Sequence, residues 1–102
     1  MSFEWAAGLF EGEGCIRTYS PNSRTYEVAI KMTDLDILER VQEIFGGTIK
    51  QQPQTAPHHK PIWRWYISNK RGVQQFLLSI LPYLGYRRTY KAQNLLDAID
   101  GV

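Results

Sequence analysis

Residues 3–10, FEWAAGLF, constrain the fold more than any other stretch. They form a helix-length segment that is apolar almost all round, and a helix without a wet face belongs in a core or against another chain. Ala6, Ala7 and Gly8 are small, so one side of this helix admits a second backbone at close range. The run Glu11-Gly12-Glu13-Gly14 follows at once, and its glycines favour chain reversal, which predicts that the helix stops there. The period then switches. Ile16 and Thr18 alternate with Arg17 and Tyr19, as in a strand entered directly from the helix.

The rest of the chain sorts by the same two periods. Ser20-Pro21-Asn22-Ser23 is a turn, and RTYEVAIKM from Arg24 to Met32 is the returning strand. Tyr26, Val28, Ile30 and Met32 share one face of it; Thr25, Glu27, Ala29 and Lys31 share the other. Thr33 or Asp34 can cap a helix that runs to about Phe45 on Leu35, Leu38, Val41, Ile44 and Phe45, and Gly46-Gly47 ends it. A strand over 48–52, a proline-rich loop over 53–61 and a strand over 62–68 make a second hairpin with a long tip. A third helix spans about 70–81 and Pro82 closes it; Arg87-Arg88 then precede a last helix over about 89–99 on Ala92, Leu95, Leu96 and Ile99. The order αββαββαα predicts one α+β domain over residues 1–102, a four-stranded antiparallel sheet backed by helices.

Composition narrows the class of function. With 102 residues and 43% apolar side chains the chain can fill a core, so wholesale disorder is excluded. One cysteine excludes a disulfide framework and a cysteine-rich zinc site, which fits a reducing, intracellular setting. No run of about 18 apolar residues and no basic leader are present, so neither a membrane span nor a signal peptide is expected. A net charge of +2 is too small to identify a nucleic-acid partner. Placement is more telling. The polar face of the sheet is expected to carry Arg17, Tyr19, Arg24, Thr25, Glu27, Lys31, Lys50, Gln52, Arg64 and Tyr66, in which basic groups outnumber the single acid. Long donors on a twisted antiparallel ribbon can follow the major groove and read base edges. A merely wet face is the alternative that alternation predicts for any such sheet.

The nine residues Ala6 to Gly14, AAGLFEGEG, resemble the LAGLIDADG motif of homing endonucleases: Ala7, Gly8, Leu9 and Gly14 are identical, and Phe10, Glu11 and Glu13 are conservative replacements. The resemblance continues through the order of elements and the stretch LPYLGYRRTYKAQNLL, so it spans essentially the whole chain. It implies a site-specific double-stranded DNA endonuclease, from an intron or another mobile element, that hydrolyses phosphodiesters with Mg²⁺ (or Mn²⁺), two or more ions per dimer. A carboxylate and a backbone carbonyl are hard oxygen ligands suited to such an ion. The resemblance makes Glu13 the metal-binding acid, with aspartate the family's usual residue there, and the Gly12 carbonyl a second ligand. It sets Arg87 and Arg88 near the scissile phosphate and Asp34 where a polar group orders water, alongside its capping role. One motif per chain implies a homodimer through the first helix, with Trp5, Ala7, Gly8 and Glu11 at the contact, and a pseudo-palindromic duplex as target. The expected compartment is the cytoplasm of a bacterial or phage host, or an organelle.

Other readings stay open at this point. Taken alone, EGEG is a solvated turn, and Arg87-Arg88 a solvated pair. The same fold could serve as a catalytically inactive DNA-binding regulator or an RNA-splicing maturase, or as a small dimerising protein without a nucleic-acid partner. His58-His59 project differently and lack a third ligand, so a loop tip touching phosphate or solvent fits them better than a metal site. Trp5, Trp63 and Trp65 read as core or interface, and Cys15 as packing.

Overall fold

The computed structural model describes residues 3–18, 26–53 and 60–100. Their elements follow the expected order: α1 (Phe3–Glu13), β1 (Gly14–Thr18), β2 (Tyr26–Met32), α2 (Leu35–Phe45), β3 (Thr48–Gln51), β4 (Trp63–Ile67), α3 (Lys70–Ile80), a short 3-10 turn (Leu81–Tyr83) and α4 (Tyr86–Asp100). The strands form one antiparallel sheet in the order β1-β2-β4-β3, so the second strand of each hairpin lies at the centre. No helix among the described residues is long and apolar enough to cross a membrane.

The register decides which side chains meet the helices. Ile30 pairs with Gly14 and Trp65, and Trp65 with Ile49; Val28 pairs with Ile16 and Ile67. These rows face a core to which every helix contributes: Ala6, Ala7 and Phe10 from α1, Leu38 and Val41 from α2, Phe76, Leu77 and Ile80 from α3, Leu95 and Leu96 from α4. Phe76 is its aromatic centre, with ring centroids of Phe45, Phe10 and Trp65 at 4.7, 5.2 and 5.2 Å. Trp65 keeps its one polar atom satisfied by donating to the Gly46 carbonyl at 2.8 Å. Gly47, at φ 96°, takes a conformation that side chains disfavour, and a Cβ there would lie 2.7 Å from Trp65 Nε1.

Four elements end or begin elsewhere than expected, and two of the shifts move functional residues. First, α1 ends within the expected run 11–14, but only at Glu13, so Glu11 and Gly12 are helical. Gly14 is required by space instead of by turn chemistry: a Cβ on it would lie against the Phe10 ring and 2.5 Å from the Phe10 carbonyl oxygen, because β1 departs directly over the last turn of α1. Second, α4 begins at Tyr86, so Arg87 and Arg88 are helical instead of preceding the helix. Third, β3 and β4 are shorter than 48–52 and 62–68, although the bond from Gln52 N to Ile62 O, 2.8 Å, carries the pairing one step further.

Candidate nucleic-acid interface and acidic tip

Side chains that alternate with the core rows point to the other face of the sheet. There the register aligns Lys31, Arg64 and Lys50 directly across β2, β4 and β3. Like charges placed opposite one another weaken strand pairing, so this row is not what sheet stability alone would favour. It suits a polyanion. Lys31, Lys50 and Arg17 are exposed, and Gln52 is half-buried. The Arg64 guanidinium lies 4.5 Å from the Tyr66 ring centroid and forms an ion pair with Glu27.

That pair changes the expected picture of the face. Glu27, expected among the outward groups that contact nucleic acid, is only 6% exposed, and Ala29, the register partner of Tyr66, is only 3% exposed. The alternation therefore yields a wet rim and a dry centre, in which Glu27 is the counter-ion that orients Arg64. Tyr19, Arg24 and Thr25, and the loop histidines His58 and His59, lie outside the described residues.

The tip of α1 runs against the usual placement of charge. The C-terminal end of a helix carries partial negative charge and is stabilised by cations. Here the last turn holds Glu11 and Glu13 and no basic residue. Gly12 and Glu13 are exposed, and carbonyls of a final turn lack helical donors. Among the described residues no three His, Cys, Asp or Glu side chains cluster into a metal cage. Mg²⁺ does not need one, because it keeps several waters and takes one or two carboxylates together with phosphate oxygens. The exposed Glu13 carboxylate and the Gly12 carbonyl fit that donor set.

The start of α4 is inverted in the opposite sense: Arg87 and Arg88 occupy its first turn, with no acid there. Arg87 is exposed, whereas the Arg88 guanidinium sits 5.7 Å from the Phe10 ring centroid. Glu11 joins the two helices, its Oε2 accepting from Gly85 N at 3.0 Å. Asp34 caps α2 through its backbone, the carbonyl accepting from Ile37 N at 3.1 Å and Leu38 N at 3.4 Å. Its side chain makes no cap bond and is exposed.

Along α1 the buried residues are Ala6, Ala7 and Phe10, so the opposite face carries Glu4, Gly8 and Gly12, flanked by the half-buried Trp5 and Leu9. A Cβ on Gly8 or Gly12 would meet nothing within 4 Å. Of the residues expected at a helix contact, Gly8 lies on this open face and Trp5 at its edge, partly packed against the protomer's own core. Ala7 does not: it is 0% exposed inside the protomer. Glu11 is occupied at Gly85. The expected contact pairs Ala7 with Gly8; the i, i+4 spacing of Gly8 and Gly12 is the sequence signal that would have found this face, whereas nothing local marks Gly85, which lies 74 residues from Glu11.

Residues 6–100 match the profile of a family described as LAGLIDADG endonuclease. No curated protein sequence matches the chain. Among solved structures, the homing endonuclease I-CvuI in complex with its target in the presence of 2 mM Ca is similar at a TM-score of 0.76 and 22% identity, over 96% of this chain and 65% of that one. The homing endonuclease I-TnaI is similar at 0.73 and 16%, over 98% of this chain and 72% of that one. The LAGLIDADG meganuclease I-CpaMI bound to uncleaved DNA is similar at 0.75 and 18%, over 98% of this chain and 36% of that one. At these identities the likeness is one of fold. This chain spans a little under two thirds of the I-CvuI chain.

Proposed function

The chain belongs to the LAGLIDADG endonuclease family, and on that premise we propose that two copies of it form a Mg²⁺-dependent, site-specific endonuclease that cuts both strands of a DNA duplex. The observation that carries the reading is the pair of inverted helix ends. An acidic α1 tip and an arginine-bearing start of α4 are joined through Glu11, on a sheet whose outer face bears a row of cations. Each end disfavours its own charges in isolation and is relieved by a ligand of the other sign: a cation at Glu13, a phosphate at Arg87.

In this reading Glu13 and the Gly12 carbonyl hold the metal ion. When bound, such an ion lowers the pKa of an attacking water and neutralises charge on the leaving oxygen. Arg87 is the arginine that faces the scissile phosphate, since Arg88 rests on Phe10; a guanidinium so placed stabilises charge that develops during displacement. Asp34, its carboxylate left outward, helps to order water. Arg17, Lys31, Lys50, Arg64 and Tyr66 carry the duplex, with phosphate contacts setting affinity and side chains in the major groove setting sequence.

One tip serves one strand. The second tip comes from a second chain, docked through the α1 face where Gly8 and Gly12 leave open space, and two-fold symmetry then selects a pseudo-palindromic site. Cleavage of a randomised duplex library in Mg²⁺, abolished by chelation, is the test. Binding without cleavage in any divalent metal would instead fit a regulator of the same fold.

Binding has its own signature. Lys31→Ala and Lys50→Ala should each weaken duplex binding about equally for all sequences. Each should also lower the slope of log K against log salt by about one, since one phosphate contact is lost. Fluorescence anisotropy across a salt series measures both, and unchanged slopes would remove the row from the interface.

A further inference from the structure

We infer that Glu11 is a positioning residue: its carboxylate holds the first turn of α4 in place, and through it fixes Arg87 relative to Glu13. The clamp stands on the structure alone; the step it serves rests on the nuclease reading above.

Gly85 opens α4, its carbonyl accepting from Thr89 N at 2.9 Å. Its N–H belongs to the donors that a helix start leaves unpaired. Helices usually satisfy such donors with a neighbouring Ser, Thr, Asp or Asn. Here the acceptor arrives from another helix, Glu11 Oε2 at 3.0 Å. The placement is electrostatically apt, because a carboxylate at a helix start is favourable and the turn's own charged residues, Arg87 and Arg88, are not.

The fit is close. A Cβ at position 85 would lie 2.9 Å from Glu11 Oε1, so the absence of a side chain there leaves room for the carboxylate. The preceding residue acts in the same place: the Phe10 ring lies beneath the Arg88 guanidinium, and Arg88 Nε is buried without a hydrogen-bond partner among the described residues. Residues 10 and 11 of α1 thus grip Arg88 in the first turn of α4 and Gly85 just ahead of it, while residues 12 and 13 form the acidic tip. The register between Glu13 and Arg87 runs through this contact.

Glu11→Ala, Glu11→Gln and Gly85→Ala separate the possibilities, with three readouts on the full chain. The first, in protein without DNA, is solvent exchange of the Arg88 Nε–H by NMR. The second is the single-turnover cleavage rate at saturating duplex in Mg²⁺, and the third is duplex affinity. Glu11→Ala is expected to speed the exchange at least about tenfold and to lower the saturating rate about 10- to 100-fold, the scale of lost outer-shell support, with affinity held within about threefold. Gly85→Ala, which displaces the carboxylate, should act in the same direction. Glu11→Gln keeps an acceptor oxygen and should retain most of the rate.

Unchanged exchange in Glu11→Ala overturns the clamp. Faster exchange with an unchanged rate overturns the positioning role and leaves the nuclease reading standing. If Glu11→Ala fails to fold, Gly85→Ala and Glu11→Gln decide by the same readouts. A wild-type protein that cuts no duplex, while Arg88 exchange still responds to Glu11, overturns the positioning role together with the nuclease reading and leaves the clamp as a structural contact.

Discussion

Glu13→Gln should abolish Mg²⁺-dependent cleavage while leaving fold and duplex binding intact. The side chain is exposed at the last residue of α1, so an isosteric amide opens no cavity. Removing its charge takes a carboxylate away from the negative end of a helix, so thermal stability should hold or rise slightly. Affinity for DNA should hold or rise for the same reason, since a negative charge is removed beside a polyanion. Only the rate depends on the carboxylate. Outer-shell partners of metal ligands already cost 10- to 100-fold, so loss of the ligand itself should cost at least about 100-fold. Single-turnover cleavage, thermal melting and anisotropy read the three quantities in parallel. Cleavage within tenfold of wild type would move the metal site elsewhere.

Gly8→Arg has the second large effect, and its value lies in two changes of opposite sign. Within one protomer position 8 is exposed, and a Cβ there meets nothing within 4 Å. The substitution therefore removes a flexible glycine from mid-helix, which should stabilise the monomer by about 0.5–1 kcal/mol. Between protomers the same side chain stands where the two α1 helices approach closely. A buried unpaired charge there costs several kcal/mol, on the order of 100-fold or more in self-association. The expected outcome is a monomer that melts no lower than wild type, sediments as one chain and does not cut both strands. An unaffected dimer would place the contact on another face.

Much of this was legible in the chain. The switches between periods 3.6 and 2 gave the element order and both hairpins, because half-buried strands and amphipathic helices record their burial in that way. The acids after FEWAAGLF and the arginines at the start of the last helix were visible as charges. What remained hidden depended on contacts distant in sequence. Gly12 reads as a helix stop, yet it stays helical, and Gly14 is glycine because β1 passes over Phe10. Ala7 and Gly8 look alike as small residues, but a rotation of one position puts Ala7 in the core and Gly8 outside. Glu27 alternates outward as expected; it is buried because Arg64, lying over Tyr66, reaches across to it. Glu11 to Gly85 was beyond any local pattern.

The dimer reading assigns one acidic tip to each DNA strand, and a half-disabled pair tests that assignment. Two copies joined by a flexible linker, one of them carrying Glu13→Gln, are mixed in excess with a cleavable duplex labelled on both strands, and a single turnover in Mg²⁺ is followed. One nick per duplex, with the opposite strand intact, is expected, while the unmodified tandem cuts both. Cutting of both strands by the half-disabled tandem, or of neither, would contradict a site built from two Glu13 tips.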